Sequence, residues 1–429
     1  MRAFLVAIGE AFPIGVPVEL WDGLRVLLGP ELCHPTLVLH IRDAGVVPSL
    51  LRRPSLSRIV EMHASGAIDL SGGTLLDLAP LRPAAKPRDI IRKAGLGRLA
   101  RLGLSLAMAK GMDAATRFDA SGRPLAREGG ADSAADVQFH YDLSNAFYQL
   151  FLDERMVYTC AYFSDWHEDL ERAQTDKLEM ICRKLRLKPG DRMLDIGCGW
   201  GALLIYAAQH HGVQGEGVTL SVEQAEEARR RIVAAGVEDR VTIHLKSYAA
   251  MSGPYDKISS IGMFEHVGFE GHDAYFGAVH RLLAPGGLYL HHAITRRGRR
   301  DLKTFRRKKP EYEAMRRYIF PGGEVDHIGH TATMLEDKGF EVHDIEGWRE
   351  HYARTTALWC RRLAARRAEA EALVGPERTR IWLAYLAGVS LSFSRGSLEI
   401  FQTLASRRTR KGHDLTSNVP PSRADLYRD

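Results

Sequence analysis

The stretch Met193-Leu194-Asp195-Ile196-Gly197-Cys198-Gly199-Trp200-Gly201 constrains this chain more than any other. Apolar residues run into a turn with glycine at alternate positions, and residues 202–206 then read as a helix. Glycine lets the backbone bend tightly and lets a ligand approach with no Cβ in the way. Asp195, at the end of the strand, can accept hydrogen bonds from a cationic ligand group. A turn of this kind serves NAD, FAD and S-adenosylmethionine (SAM) alike. A dinucleotide site asks for Asp or Glu at the ribose about 20 residues further on. Thr219 holds that place, at the end of the next apolar strand, and this tilts the reading toward SAM.

Around this turn, residues 136–405 alternate strand and helix patterns. Strands are expected at 192–196, 213–220, 241–245, 257–261 and 287–293, with a helix stop at Gly286-Gly287. Alternation of this kind argues for an α/β fold with a mostly parallel, Rossmann-like sheet, whose ligands bind beyond the carboxyl ends of the strands. A long helix is expected from Arg378 to Ala405, and a basic, extended tail over 406–429.

Ahead of it the chain divides in two. Residues 1–80 read as a small domain, with a strand at 36–41 and apolar stretches around Gly72-Gly73, and carry no recognisable chemistry. Residues 81–135 carry a burst of basic charge, including Arg92, Lys93, Arg98 and Arg101, with apolar residues at helical spacing, followed by a polar linker. A basic amphipathic helix can lie on an anionic lipid surface; a solvated interdomain helix fits the pattern equally. The net charge of +6 favours an acidic partner, and with no nucleic-acid motif present a membrane surface is expected over nucleic acid. The five cysteines form no CxxC pair, which suits free thiols in a reducing compartment, and no metal-ligand set is read. No run of about 18 apolar residues suggests a bilayer-spanning helix. The first residues are interrupted by Glu10 and lack a signal-peptide layout, so a cytoplasmic location is expected.

Several segments near the sheet bear chemistry. Aromatics crowd Phe139-His140-Tyr141-Asp142-Leu143-Ser144-Asn145-Ala146-Phe147-Tyr148 and Val157-Tyr158-Thr159-Cys160-Ala161-Tyr162-Phe163, as a staple on the sheet or a cap over a ligand. Glu265 and His266 follow the fourth strand, and His291-His292 lie on the fifth. Tyr352 stands in His351-Tyr352-Ala353-Arg354-Thr355-Thr356.

Taken in order, HYDLSNAFY, YTCAYF, LDIGCGWG, GVTLSVEQ, GMFEHVG, YIFPGG and HYARTTALW make the region from 139 to 405 resemble the cyclopropane fatty acid synthases and their mycolic acid methyltransferase relatives. The resemblance implies a class I SAM-dependent methyltransferase fold with a small N-terminal domain on the lipid side or at a dimer contact. It implies methyl transfer to a cis double bond of an unsaturated phospholipid acyl chain, with ring closure, or a methyl-branched or methylene product. Such an enzyme works at the inner face of the cytoplasmic membrane, and a homodimer is a family expectation. Carried over by position, Tyr158, Thr159, Asp195, Gly197, Gly199, Thr219 and Gln224 contact SAM, and Cys160, Glu265, His292, Ile294 (through its backbone) and Tyr352 hold a bicarbonate ion. Glu265, Tyr352, His292 and Cys160 are then the catalytic set. The chain departs from the family pattern at Ser247, where Asp is usual before the tyrosine, and at Val389, Leu391 and Ser394 around Phe393.

Overall fold

The computed structural model describes residues 1–81, 96–109, 144–299, 302–305, 323–409 and 422–427. Arg92, Lys93, the linker before Ala135, residues 139–143 of the first aromatic motif, residues 318–322 of YIFPGG and most of the basic tail lie outside these. The chain forms two compact units.

The first unit contains a four-stranded sheet in the order β2-β1-β3-β4, built from β1 (Val16–Leu20), β2 (Arg25–Leu28), β3 (Val38–Ile41) and β4 (Ile68–Ser71). β1 and β3 run parallel; the outer pairs are antiparallel. Val16, Val18 and Leu20 alternate into its core with Leu28, Leu37, Met62 and Leu70. The helix Leu96–Ala107 lays Leu102 and Leu106 on that core, while Leu104 and Met108 remain 68% and 81% exposed. Residues 359–391 also cluster with this unit. Buried Asp69 explains the attachment: its Oδ2 accepts from Arg367 Nη2 at 3.1 Å, and Arg380 Nη1 donates to Ala64 O at 3.1 Å.

The second unit is a seven-stranded sheet in the order β10-β11-β9-β8-β5-β6-β7. β5 (Arg192–Ile196), β6 (Gln214–Thr219), β7 (Val241–Leu245), β8 (Tyr255–Ile261) and β9 (Leu283–Thr295) are mutually parallel. β11 (Glu399–Arg407) pairs antiparallel with β9, and β10 (Phe340–Gly347) with β11. Successive β5 residues face opposite sides: Met193 joins Ile181, Leu204 and Ile232, whereas Leu194 and Ile196 join Phe276, Val279 and Phe340.

The expected helix from Arg378 to Ala405 stops early. The helix Pro376–Ser394 ends before Gly396, whose φ of +65° an L side chain rarely adopts, and β11 follows. The remaining residues pair along β9 from Ser406↔Leu288 to Glu399↔Thr295, a non-local partnership that outweighs their helical composition.

Candidate active site

At the carboxyl ends of β5, β6 and β8 a cavity of about 360 Å³ opens, and every residue assigned to the cofactor lines it: Tyr158, Thr159, Asp195, Gly197, Gly199, Thr219 and Gln224. Gly197 turns with φ +79°, and a Cβ there would lie 2.8 Å from Met263; at Gly199, φ +54°, a Cβ would meet nothing within 4 Å. The turn is thus closed toward the protein and open at Gly199. Asp195 Oδ1 accepts from Ser259 at 2.7 Å, and burial pushes the carboxyl up to about 6, partly offset by that bond and by Lys177. Thr219 Oγ1 donates to Gln224 Oε1 at 2.8 Å and accepts from Ser221 N at 3.2 Å. Ser221 in turn caps the helix Val222–Ala234, so the acid-free ribose position is a preset hydroxyl–amide pair.

The aromatic segments form one wall. Trp200 Nε1 donates to Asn145 Oδ1 at 2.7 Å, and Tyr148 packs between Trp200 and Tyr158 at ring separations of 5.2 and 5.4 Å. The backbone of 157–163 is held on both sides. Gln174 Nε2 donates to Val157 O and Thr159 O, Ala161 N donates to Thr355 Oγ1, and Phe163 N to His351 Nδ1. Lys177, which sequence reasoning missed, lines the cavity and donates to Thr159 Oγ1 at 3.0 Å; burial draws its ammonium down to about 8. Its signal was present: Gln174 and Lys177 fall on the apolar stripe of the helix Leu170–Lys184, with Ala173, Leu178 and Ile181.

None of the residues assigned to the anion lines that cavity, but the chain joins them to it through the neighbours Thr159-Cys160 and Glu265-His266. Cys160 and His292 meet at Trp348, and Tyr352 stands one helical turn after it, its ring against Phe393 at 4.7 Å. Cys160 Sγ lies 3.8 Å from Trp348 O, which also accepts from Tyr352 N at 3.1 Å, and the His292 and Trp348 rings meet edge to face at 5.3 Å. Glu265 and Ile294 form a pair of their own. The Ile294 N–H, expected to face the ion, donates to Glu265 Oε1 at 2.6 Å and so anchors the carboxyl. Burial pushes Glu265 up to about 7, and its Oε2 is buried without a hydrogen-bond partner among the described residues.

The state of His292 is fixed by residues the sequence reading missed. Lys184, paired with Glu346, donates to Gln402 Oε1 at 2.7 Å. The amide of Gln402 must then present its Nε2 to His292 Nδ1, 3.2 Å away. Nδ1 is therefore the acceptor, and the His292 proton sits on Nε2, which is buried with no partner among the described residues. Burial holds His292 well below its ordinary pKa and Cys160 well above. The geometry therefore offers neutral donors: the His292 Nε2–H and, while it is protonated, the Glu265 carboxyl. That set fits a small anion. No helix among the described residues is long and apolar enough to cross a membrane.

The family described as mycolic acid cyclopropane synthetase matches residues 130–403. The chain belongs to that family. A Pseudomonas putida protein named probable fatty acid methyltransferase is 33% identical over 424 residues, 98% of each chain. The cyclopropane-fatty-acyl-phospholipid synthase of Escherichia coli K12 is 37% identical over 273 residues, 64% of this chain and 68% of that one. Among solved structures, mycolic acid cyclopropane synthase CmaA1 complexed with SAH and CTAB superposes with a TM-score of 0.60 at 35% identity, covering 64% of this chain and 98% of that one. The seven-stranded unit is accordingly a class I methyltransferase fold, and the protein is a SAM-dependent C-methyltransferase of the cyclopropane synthase type.

Proposed function

We propose that the protein methylates a cis double bond in a phospholipid acyl chain and closes it to a cyclopropane. The observation that carries the reading is the pair of buried, unpartnered polar atoms, Glu265 Oε2 and His292 Nε2, on the strand ends beside the cofactor cavity. SAM, held by Tyr158, Thr159, Asp195, Thr219 and Gln224, supplies a methyl carbon activated by its sulfonium. The alkene π pair forms the new C–C bond as the C–S bond breaks, leaving a cation on the other alkene carbon. The rings of Tyr158, Trp200 and Tyr248 at the cavity wall suit cationic character. Loss of a proton from the added methyl then lets its C–H pair close the ring. A bicarbonate ion between Glu265, His292, Cys160 and Tyr352 would supply the base for that proton. In this reading Glu265 and His292 donate to the ion, and Ile294 N fixes Glu265.

The basic segment containing Arg92, Lys93, Arg98 and Arg101 is proposed to rest on an anionic membrane. The exposure of Arg101 and Leu104 on the helix Leu96–Ala107, and of Met108 just after it, supports this.

The test is incubation of the purified chain with SAM and vesicles of cis-unsaturated phospholipid, then NMR of the released acyl chains. Upfield cyclopropyl protons are expected. A methyl branch or methylene group instead would establish the second reading, which Val389 in the late helix and the name of the full-length P. putida relative favour. An unmodified acyl chain would overturn both.

A further inference from the structure

Apart from the cofactor cavity, three metal-ligating side chains from separate stretches of the second unit converge. His272 opens the helix His272–Leu282, and His330 lies in the first turn of the helix Ile328–Asp337. Asp326 bridges to Thr295 at the end of β9. One ligand atom from each lies within 4.8 Å of the others. Asp326 Oδ2 is 2.7 Å from His330 Nδ1 and 3.6 Å from His272 Nδ1. Ligand atoms sharing an ion at bonds of about 2.0–2.2 Å lie about 3.0–3.5 Å apart, so these two separations bracket a bound geometry.

A second observation points the same way. Asp326 is only 3% exposed, and the hydrogen bond to His330 uses Oδ2 alone; Oδ1 is buried with no hydrogen-bond partner among the described residues. Thr295 Oγ1, on the bridged residue and also 3% exposed, has none either. An unpaired buried carboxylate oxygen costs free energy that a cation recovers.

We propose that His272, Asp326 and His330 bind one divalent cation of borderline softness, Zn²⁺ by the two-imidazole, one-carboxylate ligand set, with a water completing the shell. The ion would tie the segment 324–330 to the end of β9 and to the start of the His272–Leu282 helix. That segment already reaches the catalytic side, since Glu324 N donates to Glu265 O at 2.9 Å and Glu324 Oε2 accepts from Phe269 N at 2.8 Å. The site is thus a clamp on the segment that hydrogen-bonds Glu265. The sequence hid it because His272 is far along the chain from Asp326 and His330.

The full-length chain, stripped with a chelator, is titrated with Zn²⁺ by calorimetry and with Co²⁺ by visible absorption. One ion per chain is expected, with ligand-field bands for Co²⁺ and a rise in melting temperature. His330→Gln and Asp326→Asn should each weaken binding about 100-fold while retaining SAM binding, which reports that the fold survives. His330→Gln is the milder change, at a partly exposed position. The absence of stoichiometric binding, or equal affinity in the wild type and a folded variant, overturns the proposal.

Discussion

Replacing Glu265 by glutamine should weaken the enzyme and make its stability relative to wild type rise with pH. The buried carboxyl titrates at about 7 against 4.5 for an exposed glutamate. Below pH 4.5 it is protonated in the folded and unfolded states alike and has no differential effect. As pH rises toward 7, the unfolded chain releases this proton while the folded chain keeps it, so the wild type loses stability over that window. A rise from 4.5 to about 7, at 1.36 kcal/mol per unit, comes to about 3 kcal/mol. Glutamine does not titrate. Whatever constant offset Glu265→Gln introduces, its stability relative to wild type should therefore improve by about 2–3 kcal/mol between about pH 5 and pH 8. Urea denaturation at the two pH values reads this directly. Turnover should fall by about 100-fold, because the amide can donate to the ion but cannot exchange a proton with it as the carboxyl can, and SAM affinity should hold, because Glu265 is not among the residues lining the cofactor cavity. A stability difference that is the same at both pH values would refute the buried, late-titrating carboxyl. Unchanged turnover would remove Glu265 from the chemistry.

Gln402→Glu would replace the amide that donates to His292 Nδ1 by a carboxylate that accepts, drawing the proton off Nε2. Turnover should drop about 10- to 100-fold with SAM binding intact, as for other side chains that act through a neighbouring ligand, and ¹⁵N NMR should show the His292 tautomer reversed. Retained Nε2–H with lost turnover would mean that Gln402 matters for packing alone. Replacing Arg92, Lys93, Arg98 and Arg101 with serine should weaken binding to anionic vesicles by about 1 kcal/mol per residue near the headgroups, most at low salt. Cosedimentation equal to wild type would give the basic segment no membrane role.

The parallel strands were legible because each is a short apolar run bounded by turn residues, and the glycine turn after β5 announces a ligand at its end. β11 was not. Residues 399–407 have no strong β-branched pattern, and what makes them a strand is the row of partners on β9, which no local window contains. The same blindness covered part of the site. Tyr158, Thr159, Asp195, Thr219 and Gln224 stand in motifs that resemblance could carry, whereas Gln402 has meaning only once β11 is laid beside β9. Lys184 gains its role through the Gln402 amide and Glu346, both remote in sequence.

The proposed chemistry makes conflicting electrostatic demands, and the arrangement of charge answers them. A sulfonium donor and a cationic acyl chain are repelled by a fixed positive charge, yet an anion must be kept in a dry site close by. A lysine or imidazolium pointed at the ion would hold it at the expense of the cation beside it. Here the nearby ammonium groups stand against carboxylates: Lys184 pairs with Glu346, and Lys177, which lines the cofactor cavity, faces Asp153 and Asp195. What they leave to face the ion is a neutral imidazole, whose Nε2–H is set by Lys184 through Gln402, and a carboxyl kept near pH 7 by burial. Neutral donors bind an anion by hydrogen bonds and dipoles, whose fields fall off faster with distance than that of a charge. The ion can then be held without raising the potential where the methyl group moves.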